Sequence, residues 1–215
     1  MSIQFDIAKQ IIAKTCPNRK LKLENIRLFA DIIQTKKKKK GDIILNDGDI
    51  CNCLFYIEKG FIRQHYLKHD KDVIEHLACE KDVVWYIDSY FNREPTHLMM
   101  DAVENSVLWE IPRDIMEELS DANGDIAYLY RSFFENSLML SQLKADILRF
   151  ESANDRYARL QQHFPEITRR APLTMIASYL QMTLETLSRV RASIARDLLG
   201  RDLGGTSCRV QTARS

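Results

Sequence analysis

A chain of 215 residues with 45% apolar and 28% charged side chains has the composition of a soluble globular protein with a core of its own. No apolar run approaches the ~18–20 residues of a membrane helix, and MSIQFDIAKQ lacks a signal peptide's apolar stretch, so a cytoplasmic protein without a membrane partner is expected. The net charge of +1 is unevenly placed: residues 151–215 carry ten arginines, no lysine and six acidic residues, against 21 basic and 24 acidic ones before them, which points toward a polyanion partner for the C-terminal third.

Residues 3–35 read as helical, with Leu23, Ile26, Phe29 and Ile33 spaced three and four apart. From residue 36 the texture changes. "KKKKKGDIILNDGDICNCLFYIEKGFIRQHYL" places glycines at 41, 48 and 60 between β-rich runs, and such glycines mark turns that need positive φ. "DVIEHLA" (72–78) and "MMDAVENSVLWEI" (99–111) continue the pattern, so the spacing predicts an antiparallel roll that closes to hide its edges. The lysines at 36–40 suit a solvated edge strand.

"PRDIMEELS" (112–120) reads as a short helix and Asn123-Gly124 as a turn. The next 26 residues contain neither Gly nor Pro. Leu129, Phe133, Asn136, Leu140, Leu143 and Ile147 recur at heptad spacing with one polar member, and Tyr130, Phe134 and Leu138 form a second stripe beside them. A helix apolar on two sides needs two partners. The expectation is the roll for one and the same helix of a second subunit for the other.

"SANDRYARLQQHF" (152–164) is another short helix, stopped by Pro165. In "LTMIASYLQMTLETLSRVR" (173–191), Ile176, Ala177 and Leu180 give a first helix an inward face. Gln181-Met182-Thr183 breaks it at a position that favours positive φ, and the Thr183 hydroxyl suits an N-cap for Thr186. In the second helix Leu187, Val190 and Ile194 turn inward, while Glu185, Ser188, Arg189 and Ala192 share the outward face. That is a helix-turn-helix whose second helix is built for the major groove. Arg can bond guanine bidentately and Glu can accept from cytosine N4, so Glu185, Ser188 and Arg189 are the expected base readers. Thr174, Thr183, Thr186, Arg191, Arg169 and Arg170 are the expected backbone or supporting contacts.

The whole arrangement resembles the Crp-Fnr family of bacterial transcription regulators over about residues 20–196. "KKGDIILNDGD" is similar to the family's β-roll opening, "YIEKGFIR" to its next glycine turn, residues 125–150 to its dimer helix, and "ETLSR" (185–189) to the reading pattern of the fumarate-nitrate branch. The resemblance implies an α+β fold: an N-terminal double-sheet β-roll with flanking helices (1–120), a dimerisation helix (121–150) and a winged helix-turn-helix (151–199). A disordered tail (200–215) would follow. It implies a homodimer on a double-stranded DNA operator, with RNA polymerase as a further partner and no enzymatic activity.

The departures bear on the effector. Cyclic-AMP-binding members carry Gly-Glu and, about ten residues on, Arg; an ungapped reading puts Trp85-Tyr86 and Thr96 there. Bulky aromatics replace a bare backbone turn and the phosphate loses its countercharge. Arg63 and Arg93 are out of place for a rescue, so Trp85, Tyr86, Thr96 and Arg63 mark an effector pocket altered away from cyclic AMP. Cys16 is the lone cysteine before residue 50, too few for an N-terminal iron-sulfur cluster. His65, His69, His76, His97 and His163 form no H-x-H pair, so neither metal nor cofactor is expected. Two other readings stay open: a β-roll protein whose helical domain binds a protein partner, and a roll enzyme with a helical appendage.

Overall fold

The computed structural model describes residues 2–69 and 71–203, with side chains described as far as Arg196. The chain divides into two compact units, residues 1–146 and 147–215.

The first unit opens with α1 (Ile3–Thr15) and α2 (Leu23–Ile32), separated around Pro17. Eight strands follow: β1 (Gln34–Lys38), β2 (Ile43–Leu45), β3 (Cys53–Lys59), β4 (Ile62–Lys68), β5 (Lys71–Ala78), β6 (Val83–Val84), β7 (Met99–Ala102) and β8 (Ser106–Pro112). They form two antiparallel four-stranded sheets, ordered β1-β8-β3-β6 and β2-β7-β4-β5. Leu54, Ile57, Leu108 and Ile111 from the first sheet and Ile62 and Met100 from the second are all fully buried in one core. A short helix, α3 (Ile87–Asn92), interrupts the strands, and α4 (Arg113–Ala122) follows them.

The glycine turns are required by geometry. Gly60, between β3 and β4, has φ +116°, and a Cβ there would stand 2.0 Å from Ser106 Oγ. No side chain fits that approach. The first three lysines of the run, Lys36 to Lys38, lie in β1 at the edge of its sheet. Lys36 lies 3.6 Å from Glu110 on β8, and the strand's other residues are largely exposed, as suits a charged edge.

The long helix α5 (Gly124–Phe150) starts on an Asn123 cap, whose Oδ1 accepts the Asp125 and Ile126 N–H groups at 3.0 and 3.3 Å. Asp125 in turn accepts from Arg19 (2.9 Å), the Lys22 N–H (3.2 Å) and Asn25 Nδ2 (2.9 Å), which pins the α1–α2 segment to the start of α5. These donors, Asn25 first and then the Lys22 N–H, hold the Asp125 carboxyl below its ordinary pKa.

The expected dimer seam divides along α5. Leu129 and Phe133 are buried in the core of their own unit, at 0% and 4% exposure. Asn136 donates to the Thr15 carbonyl at 2.9 Å, satisfying the C-terminus of α1. Only Leu140 (52% exposed), Leu143 (45%) and the half-buried Ile147 are left for a partner. Heptad spacing follows equally from packing inside one chain, which is why the pattern could not separate the two cases. The second stripe divides as well: Tyr130 and Phe134, with ring centroids 4.6 Å apart, join Trp85, Tyr90 and Phe91 in an aromatic cluster, while Leu138 is exposed.

The second unit holds α6 (Ala153–His163), α7 (Pro165–Arg170), α8 (Leu173–Tyr179) and α9 (Leu184–Leu203). Tyr157, Leu160, Ile167, Ile176, Ala177, Leu180, Leu187 and Val190 are buried and form its core. The expected wing has no strand among the described residues. After Ile194 the sequence ARDLLGRDL is rich in helix formers and has no β-branched run, so α9 continues to Leu203. Residues 200–203, expected in a disordered tail, are therefore helical. Residues 204–215 lie outside the described residues.

Candidate nucleic-acid interface

The turn between α8 and α9 is tight. Gln181 takes the left-handed conformation at φ +52°, and the Met182 N–H reaches the Ala177 carbonyl at 2.9 Å. The Thr183 hydroxyl then caps α9, accepting the Thr186 N–H at 3.1 Å, and lies 2.9 Å from the Thr186 hydroxyl. Buried Leu187 and Val190 fix which way α9 is rolled. With 3.6 residues per turn, that leaves Glu185, Ser188, Arg189 and Ala192 together on an exposed face. Arg189 Nη2 lies 3.6 Å from Glu185 Oε1, so these two expected base readers pair with each other.

The supporting residues divide. Thr174 is exposed in the first turn of α8, and Arg169 is exposed and ion-paired to Glu166. Arg170 is largely covered, with a side chain only 15% exposed and Glu166 at 3.9 Å, which makes it a poor phosphate contact. Arg191 follows Arg189 by two residues, roughly 200° around the helix, so it does not share the reading face. Sequence reasoning stopped that face at Ala192. Continuing the same count adds Arg196, which is exposed, and an open hollow of about 470 Å³ joins Thr186, Arg189, Ser193 and Arg196 to the start of α6.

The expected effector residues are largely engaged in contacts of their own. Trp85, Tyr86 and Thr96 are buried at 7%, 4% and 7% exposure. Gln64 donates to the Trp85 carbonyl (3.0 Å) and the Tyr86 hydroxyl to the Met99 carbonyl. Thr96 is bonded through its backbone to Asp49 and Gly48, both at 2.8 Å. Arg63 is held by Asp101 (2.7 Å) and Asp72 (2.9 Å). His65 lies 3.3 Å from Asp72 and 3.5 Å from Asp101, and burial, then Arg63, pushes its pKa down. Beside the cluster, a cleft of about 400 Å³ opens between α3 and α5, walled by Trp85, Ile87, Phe91, Phe134 and Leu138.

A double-sheet roll followed by a long helix and a helix-turn-helix defines a class of two-part regulators. Residues 35–123 match the cyclic nucleotide-binding domain family. The chain is 28% identical to electron transport regulator A of Shewanella oneidensis over 173 residues, covering 74% of this chain and 68% of that protein. It is 26% identical to regulatory protein HlyX of Actinobacillus pleuropneumoniae over 192 residues, covering 83% and 79%. In fold it is similar to FixK2 from Bradyrhizobium japonicum, with a TM-score of 0.64 at 18% identity over 77% of this chain and 86% of that one. The chain is a transcription regulator similar to those of the Crp-Fnr family.

Proposed function

We propose that the protein acts as a homodimer, binding a two-fold symmetric operator through α9 of each subunit and contacting RNA polymerase from there. The observation that carries this is the exposed face of Glu185, Ser188 and Arg189 on a helix whose roll is fixed by Leu187 and Val190. A carboxylate is a poor choice toward phosphates, and its place beside Arg189 suits base edges instead. Thr174 and Arg169 would hold the backbone. Leu138, Met139, Leu140 and Leu143, all exposed on α5, offer the apolar surface for the second subunit. The sensor domain does not answer to cyclic AMP, because the positions that would hold a cyclic phosphate carry packed aromatics and a threonine.

Selection of bound duplexes from a random pool tests the reading. A pair of related half-sites about one helical turn apart is expected, with affinity that falls steeply as salt rises. A pool without enrichment, combined with salt-insensitive binding, would overturn it in favour of a protein partner for the helical unit.

A further inference from the structure

We propose that Arg196, assisted by the Ser193 hydroxyl, grips a DNA backbone phosphate and so anchors the far end of the reading helix. This rests on the operator-binding reading above. Arg196 stands seven residues after Arg189, two turns along α9 and on nearly the same side. At 1.5 Å per residue the separation is about 10 Å, close to the ~12 Å width of the major groove. A helix that places Arg189 against base edges therefore brings Arg196 over the phosphates bordering that groove.

The local chemistry fits an anion. The hollow shared by the two arginines is lined by the polar groups of Asn154, Thr186 and Ser193, and no carboxylate lines it. Arg196 Nε reaches the Ala192 carbonyl at 3.3 Å, a contact that tethers the stem one turn back along the helix. Guanidinium groups suit phosphate oxygens, and a hydroxyl supplies a further donor. α9 continues past this position to Leu203, so Arg196 is carried on helical backbone.

The test compares the whole protein with R196A, R196K and R189A on a selected operator duplex and on a mixed-sequence duplex of equal length. R196A should weaken both duplexes by the same factor and reduce the slope of log affinity against log salt by about 1 per subunit. R196K should restore most of the loss, since a phosphate accepts a point charge. R189A should instead lose preference between the duplexes. An unchanged slope in R196A, or a shift in its base preference, would overturn the phosphate assignment while leaving the operator reading intact. If the unsubstituted protein bound neither duplex, the operator reading itself would fall, and this inference with it.

Discussion

Glu185 and Arg189 face each other one turn apart on α9, 3.6 Å between charged atoms, with side chains 79% and 71% exposed. An exposed i,i+4 pair contributes only about 0.3–0.5 kcal/mol to folding, so its placement matters more for what the helix meets than for what holds it together. On the proposed reading, each charge keeps the other oriented on this face until base edges replace it.

Arg189→Ala should therefore leave unfolding almost unmoved and lose ~1–3 kcal/mol of discrimination at one base pair per half-site. Glu185→Gln should change preference at a different position. Binding to a panel of single-base operator variants measures both. The same position affected in both variants would contradict separate reading roles.

The turn before α9 makes a prediction about stability alone. Thr183→Ala removes the cap on Thr186 and should cost about 1 kcal/mol. Gln181→Gly relieves the left-handed backbone at φ +52° and should recover about 1 kcal/mol. Urea unfolding followed by a probe in the C-terminal unit reads both. A destabilised Gln181→Gly protein would mean that the glutamine side chain contributes more than its backbone costs.

This turn shows why parts of the molecule were legible in the sequence. Gln181 at a break, Thr183 at a cap and three inward apolar residues are local signals, and local chemistry is enough to set them. The strands were legible for the same reason, since Gly60 marks a turn where any Cβ would strike Ser106. The seam on α5 was not. Leu129 and Leu140 share one heptad register, but the first is buried by its own unit and the second is exposed, and spacing alone carries no information about which chain covers a face. The wing, expected from resemblance, has no strand among the described residues, where the sequence after Ile194 favours helix. Arg196 was legible but uncounted, one further step along a face already identified.

Leu140→Glu tests the part of α5 left open. A carboxylate brought against its symmetry mate would cost several kcal/mol if that surface is buried in a dimer, and sedimentation should show a monomer with most specific DNA affinity lost. Leu129→Glu should behave differently, destabilising the N-terminal unit itself, because its side chain is fully buried within one chain. A Leu140→Glu protein that stays dimeric would remove α5 as the interface.

His76 supplies a pH prediction. Burial, and then the Lys144 ammonium, pushes its pKa down from 6.5 to about 4. Between those values the unfolded chain binds the proton and the folded one does not, so the contribution to stability is full above about pH 6.5 and is lost as pH falls toward 4. The slope from this one group is at most about 1.4 kcal/mol per pH unit. Urea unfolding at pH 7, 6 and 5 should show the decline, and His76→Gln should flatten it. An equal decline in the variant would assign it to other groups, His65 first among them.

The last prediction concerns cyclic nucleotides. A cyclic phosphate needs a bare backbone turn and an arginine; here that turn carries Trp85 and Tyr86, both buried, and Thr96 offers only a hydroxyl, which already accepts the Leu98 N–H. The nearby arginines are already engaged, Arg63 by Asp101 and Asp72, and Arg93 by Asp114 and Glu117. Binding would have to break those pairs and expel packed aromatic rings, a loss that a single phosphate contact does not offset. Calorimetry with cyclic AMP and cyclic GMP should accordingly show no association below millimolar, equivalent to about −4 kcal/mol. Micromolar binding of either nucleotide, abolished by Arg63→Ala or Arg93→Ala, would mean that those arginines leave their carboxylates and that the roll opens on ligand.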